Sequence, residues 1–106
     1  MPQMRPLVDG GSVHVVPQLK QLLSEPDLLP IDAVLYAVRP WAAGTDAVVL
    51  DGDDAPAGYE YLLEVNLVLD VLEVWSAWRG GRSPAPEEAA GAVIYYAERD
   101  AYLPTT

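Results

Sequence analysis

The spacing of apolar residues changes within residues 59–79, YEYLLEVNLVLDVLEVWSAWR, and this change limits the folds open to the chain. In the first part of this run apolar and acidic side chains alternate, which is the period of a strand with one buried face. From Leu67 onward the apolar positions recur at intervals of three and four, which is the period of an amphipathic helix. The run therefore predicts a strand at residues 59–65 that leads into a helix, with Glu60 and Glu64 together on the more exposed face of the strand.

The junction and the end of this helix each carry a suitable residue type. Asn66 lies between the two periods, and its side-chain oxygen suits a helix N-cap. Gly80 and Gly81 suit the position just beyond a helix C-terminus. Trp75 and Trp78 fall on the apolar stripe and are expected in the core. A membrane span is excluded because the run contains several charged residues, each of which costs roughly 2.5–3.5 kcal/mol near a bilayer centre.

Shorter apolar runs predict the other elements. Two of them, residues 33–38 and 47–50, are typical of strands. The connections between the three predicted strands are short and favour an antiparallel meander. One helix is expected before the strands, at residues 17–24, and another after the first long helix, from Pro86 to about residue 99.

The predicted fold is α+β: a small three-stranded antiparallel meander with an N-terminal helix and two C-terminal helices packed on one face. Residues 13–106 form this single domain. Residues 1–12 precede it as an irregular segment, because prolines and paired glycines interrupt every local pattern there. A chain of 106 residues is long enough for one core and too short for two.

The acidic balance limits the partners. Sixteen acidic residues against six Lys and Arg give a net charge of −10. Nucleic acids and anionic membranes are bound by clustered Lys and Arg, so neither is expected as a partner. The same charge favours a basic protein partner by speeding encounter, although it also serves simply to keep a small protein soluble. The first residues lack the apolar core of a secretory signal, and a cytoplasmic location is expected.

Patterns typical of catalysis or cofactor binding are missing from this sequence. The only histidine is His14, no serine lies in a nucleophile elbow, and there is no cysteine for thiolate chemistry. Neither a GxxxxGK[ST] loop nor a GxGxxG loop occurs. Glu60 and Glu64 would lie about 13 Å apart along a strand, which is too far for the paired carboxylates of a glycosidase. We expect no catalytic residue and no cofactor.

Two loops carry the remaining candidates. Asp51, Asp53 and Asp54 lie on the connection 51–58, where clustered carboxylates suit either a hard cation or an ordinary solvated hairpin loop. The spacing does not fit an EF-hand, because proline occupies the position that needs glycine. Trp41 lies in a loop with Pro and Gly, where a tryptophan either folds back over the core or anchors a partner.

The C-terminal run AVIYYAERDAYL, residues 92–103, resembles a family of small, acidic bacterial proteins. In that family an N-terminal helix, an acidic loop and a strand–helix unit precede a Tyr-Tyr pair followed by Glu-x-Asp-Ala and an aromatic residue. The layout is similar over residues 16–103, and the distinctive positions here are Tyr95, Tyr96, Glu98, Asp100, Ala101 and Tyr102. The family is similar to the immunity proteins of bacterial toxin systems. The resemblance implies neutralisation of a toxin, with no catalytic residues to transfer.

The leading hypothesis is a non-catalytic protein-binding module, an immunity protein that occludes a basic surface of a toxin. Its expected contacts are Trp41 and the aspartates of neighbouring loops, together with two glutamates: Trp41, Asp51, Asp53, Asp54, Glu60 and Glu64. One alternative is a structural or adaptor subunit that self-associates as a homodimer. A second alternative is a small metal-assisted enzyme or ligand binder.

Overall fold

The computed structural model describes residues 16–52 and 55–105; the predicted irregular segment 1–12 and His14 lie outside them. Within the described residues, a helix is followed by three strands in one antiparallel sheet and by two further helices, which confirms the predicted α+β class. The elements are α1 (Leu19–Leu22), a 3-10 turn (Pro26–Leu28), β1 (Val34–Val38), β2 (Ala47–Leu50), β3 (Tyr59–Glu64), α2 (Val65–Ala77) and α3 (Pro86–Arg99).

The strand order differs from the predicted meander. The sheet runs β2-β1-β3, so β1 is central and β3 pairs with β1 instead of β2. The physical reason lies in β1, whose consecutive residues Leu35, Tyr36 and Ala37 are all buried and therefore suit a strand with a neighbour on each edge. The connection 51–58 is long enough to cross the two strand spacings, roughly 10 Å, that separate β2 from β3.

A β-bulge in β3 overturns the prediction that Glu60 and Glu64 share a face. Leu35 pairs with Leu63, but Tyr36 pairs with Tyr61, so Leu62 is an extra residue on β3. Both Leu62 and Leu63 are buried in the core cluster, which strict alternation forbids and a bulge permits. Glu60 pairs with Ala37 and Glu64 pairs with Val34, and these neighbours of opposite parity on β1 place the two glutamates on opposite faces of the sheet.

Helix α2 begins at Val65, without the Asn66 cap that the sequence predicts. Glu64 occupies the N-cap position, and Asn66 lies exposed in the first turn. The backbone N–H of Val65 donates to the carbonyl of Ala33 at 3.0 Å, and the Val65 side chain is fully buried. The chain therefore passes from sheet to helix with no intervening loop, because the contacts of Val65 set the turning point.

The three helices share one core with one face of the sheet. The inward side chains of the sheet, such as Leu35 and Leu63, belong to the same buried cluster as Val71 and Trp75 of α2 and Val93 of α3. The predicted start of α3 at Pro86 is confirmed. Each helix in the described part of the chain is too short or too polar to cross a membrane.

Trp78 departs from the predicted apolar stripe. Helix α2 ends at Ala77, so Trp78 is the C-cap residue and is 52% exposed, whereas Trp75 is buried. The Trp78 ring packs edge-on against Tyr102, with ring centroids 5.9 Å apart. The stripe fails at its last position because the helix stops before it.

Candidate functional site

The sheet face turned away from the helices is unusually apolar. Helices on one side of an antiparallel sheet normally leave a polar outer face. Cross-strand pairing instead groups aliphatic and aromatic side chains there, and none of them belongs to the core cluster on the other side. We call this surface the open face, and its residues are Val34, Tyr36, Val38, Val48, Leu50, Tyr59, Tyr61 and Glu64.

Two tyrosines form the centre of the open face. The rings of Tyr36 and Tyr61 meet edge to face, with centroids 6.3 Å apart and an interplanar angle of 83°. Tyr36 is buried and its hydroxyl donates to the carbonyl of Gly52 at 2.7 Å. Tyr61 is 50% exposed. Burial raises the pKa of Tyr61, and the nearby Glu64 carboxylate raises it further, so the phenol remains a hydrogen-bond donor through neutral pH.

One end of the sheet collects carboxylates, and we call it the acidic end. Glu64, Val34 and Leu50 lie side by side across the three strands, and Asp51 follows Leu50 directly. Asp32 precedes β1 at the same end. Asp32, Asp51 and Glu64 form no ion pair with any other residue in the described part of the chain. The acidic end therefore projects negative charge that the described residues do not neutralise.

A cavity of about 240 Å³ opens at the acidic end. Its lining combines two carboxylates and an amide with aliphatic side chains: Ile31, Asp32, Ala33, Val34, Glu64 and Asn66. Ile31 is a largely exposed aliphatic residue beside these carboxylates. An apolar wall next to carboxylates that have no ion-pair partner among the described residues suits a long cationic side chain, whose stem is apolar and whose head is charged.

The opposite end of the sheet holds Trp41 and Glu60, joined by Arg39. Arg39 Nε lies 3.0 Å from Glu60 Oε1, and the guanidinium lies 3.8 Å from the centroid of the Trp41 ring. Trp41 Nε1–H donates to the carbonyl of Ala37 at 3.2 Å, and its half-buried ring packs against the core cluster. Of the two positions predicted for Trp41, the structure therefore confirms folding back over the core. Glu60 is already paired with a cation.

The predicted contact residues consequently do not form one surface. Trp41 and Glu60 lie at one end of the sheet, while Asp51 and Glu64 lie at the other, roughly 10 Å away along β1. The loops that carry Trp41 and Asp51 leave opposite ends of β2, so the prediction that these loops are neighbours is wrong. Asp53 and Asp54 lie outside the described residues.

Sequence reasoning missed the open face and the part of Asp32 in the acidic end. A usable signal was present, because β1 is apolar on both faces, and one of those faces must then lie against something other than the helices. Asp32 gives no comparable signal in the sequence, because it lies in a turn before the strand, where acidic residues are common.

The chemistry available at these positions is limited. Within residues 16–52 and 55–105, no three His, Asp or Glu side chains converge as a metal site requires. The cation hypothesis for the loop with Asp53 and Asp54 stays a prediction, since those two residues lie outside the described ranges. No protein-family model, curated protein or solved structure matches this chain.

Proposed function

We propose that this chain is a non-catalytic protein-binding module whose partner is a basic protein. The observation that carries the proposal is the acidic end, where Asp32, Asp51 and Glu64 lie together without a cationic partner among the described residues. Complementary charge speeds encounter and disfavours wrong partners, and a concentrated patch does so more than evenly spread charge.

The more specific role that we propose is that of a cytoplasmic immunity protein, which neutralises a bacterial toxin by covering a basic surface. Support for it comes from the resemblance of residues 92–103. In the structure, the last residues of that run pack on the helices: the Tyr102 hydroxyl donates to Asp70 at 3.0 Å, and the rings of Tyr96 and Tyr102 lie 5.2 Å apart. These aromatic residues hold the C-terminal segment against the helices. We therefore propose the acidic end, and not this segment, as the contact surface.

Co-expression tests this proposal directly. The chain is produced together with each protein encoded beside it, and complexes are isolated by affinity purification while growth is recorded. We expect a stable complex with a basic protein whose toxicity the chain relieves. A complex without relief of toxicity would support the binding module and exclude the immunity role. No complex with any neighbour, together with no relief, would contradict both.

A further inference from the structure

The open face has the composition of an interface and not that of a solvated sheet surface. Val48 and Tyr61 lie on either side of Tyr36 in the register, and Val38 lies two residues further along β1 on the same face. Tyr61 is half exposed. Contiguous exposed apolar surface on a small protein marks an interaction site, whereas scattered single residues do not. Aromatic residues of this kind are also enriched where interfaces carry most of their binding energy.

We propose that the open face docks the apolar side of a basic protein segment, whose Lys or Arg side chains reach the acidic end. This inference rests on the proposed function and specifies its partner. The apolar side chains of the segment lie on Val48 and Tyr61. Its cations lie against Glu64 and Asp51, where the apolar surface ends.

Charge complementarity selects this occupant over a second copy of the chain. The open face carries no lysine or arginine, and its one ionisable residue besides the tyrosines is Glu64. A symmetric dimer would place the same face against itself, with a net charge of −10 on each copy and no cation on either face. A basic segment satisfies both parts of the surface at once, because Glu64 borders Tyr61 on the same face.

The test uses three synthetic peptides of equal length as probes. In one lysine and valine alternate, in the second lysine and serine alternate, and in the third glutamate and valine alternate. Each is titrated into the isotopically labelled full chain, and amide chemical shifts are recorded. We expect the lysine–valine peptide to shift the amides of Val48, Tyr61 and Glu64 most. The lysine–serine peptide should bind at least about tenfold more weakly, a difference of about 1.4 kcal/mol, and the glutamate–valine peptide should not bind.

A matched pair of variants isolates the apolar contribution. Tyr61→Ser removes an aromatic ring from the open face, and Trp78→Ser removes one of similar exposure from the end of α2; the exposed fractions are 50% and 52%. We expect Tyr61→Ser to weaken the lysine–valine peptide at least about fivefold and Trp78→Ser to leave it within about twofold. Thermal melting checks folding, and the shift map of the unaltered chain tests the surface even if Tyr61→Ser does not fold.

The other outcomes distinguish this inference from the proposed function. Equal binding of the lysine–valine and lysine–serine peptides, with shifts at Asp32 and Asp51 alone, would overturn docking on the open face and leave the basic partner standing. No binding of either peptide would contradict both. If amide chemical shifts on the open face change with protein concentration, and sedimentation shows dimers, the open face would be assigned to a second copy of the chain. Nuclear Overhauser contacts from Val48 to residues 1–15 would assign it to the chain itself. Either assignment overturns the inference.

Discussion

Glu60 and Glu64 are four positions apart on one strand, yet they lie on opposite faces of the sheet and towards opposite ends of β3. Glu60 is paired with Arg39, whereas Glu64 forms no ion pair with any described residue. The bulge at Leu62 places the two side chains on opposite faces, and their spacing along β3 places them at opposite ends. This arrangement gives two residues that look equivalent in sequence different surroundings, and only Glu64 remains available for a partner.

Because the bulge buries Leu62, we expect a large loss of stability when this side chain is shortened. Leu62→Ala should lower the free energy of unfolding by about 2–5 kcal/mol, because the side chain is buried in the core cluster. Leu28→Ala serves as the control and should change it by less than about 0.5 kcal/mol, since Leu28 is largely exposed. Chemical denaturation measures both. Equal, small effects would show that Leu62 points to solvent, as simple alternation requires.

The two glutamates should respond differently to neutralisation. Glu60→Gln removes an exposed ion pair with Arg39 and should cost at most about 1 kcal/mol of stability while leaving binding of the lysine–valine peptide unchanged. Glu64→Gln should weaken that binding severalfold, because it removes the carboxylate that the open face shares with the acidic end. Calorimetric titration of the two variants gives the comparison. Similar losses of peptide binding in the two variants would contradict the finding that the two glutamates lie at separate ends of the sheet.

Tyr61 predicts a loss of stability at alkaline pH. Its folded pKa is raised above the ordinary value of 10.0 by burial and then by Glu64, so ionisation is less favourable in the folded chain than in the unfolded chain. Its stabilising contribution is therefore complete below pH 10.0 and is lost as the pH rises through the raised pKa. Glu64→Gln should lower the pKa of Tyr61, as followed by tyrosinate absorbance with Tyr61→Phe as reference. An unchanged titration curve would show that the Glu64 charge does not reach Tyr61.

We expect the start of α3 to lose stability at low pH. Glu88 accepts hydrogen bonds from Arg82 and from the backbone N–H of Ala85, and both lower its pKa below the ordinary value of 4.5. The contribution of Glu88 is therefore present above pH 4.5 and is lost as the pH falls through the lowered pKa. Arg82→Gln should move the pKa of Glu88 upward in a carboxyl-carbon NMR titration. No movement would mean that the pair is not formed in solution.

Local patterns in the sequence predict the elements well and their arrangement less well. The bounds of β2 and the start of α3 follow from short-range features, an apolar run between turns and a proline at the first helical position. The change from strand to helix within residues 59–79 is also correct. Its capping residue is not, because the helix begins at the buried Val65, which puts Glu64 in the N-cap position two residues before Asn66.

The errors share a non-local origin. Which strand lies at the centre of the sheet depends on which strands pair with the two edges of β1, and no single segment contains that information. The bulge likewise depends on fitting both Leu62 and Leu63 under the helices. Once strand order and bulge are known, the acidic end follows, because they bring Asp32, Asp51 and Glu64 to the same end of the sheet.

A matched pair of charge variants tests whether the acidic end binds a basic partner. One variant combines Asp32→Asn, Asp51→Asn and Glu64→Gln. The control removes the same amount of charge from exposed positions at the helices and just beyond α3: Glu73→Gln, Glu98→Gln and Asp100→Asn.

The measurement is the dissociation constant of the lysine–valine peptide for each variant at one ionic strength. We predict at least about tenfold weaker binding for the variant of the acidic end, about 1.4 kcal/mol, and a change within about threefold for the control. Equal weakening of the two variants would show that net charge alone attracts the peptide, and it would contradict a binding surface at the acidic end.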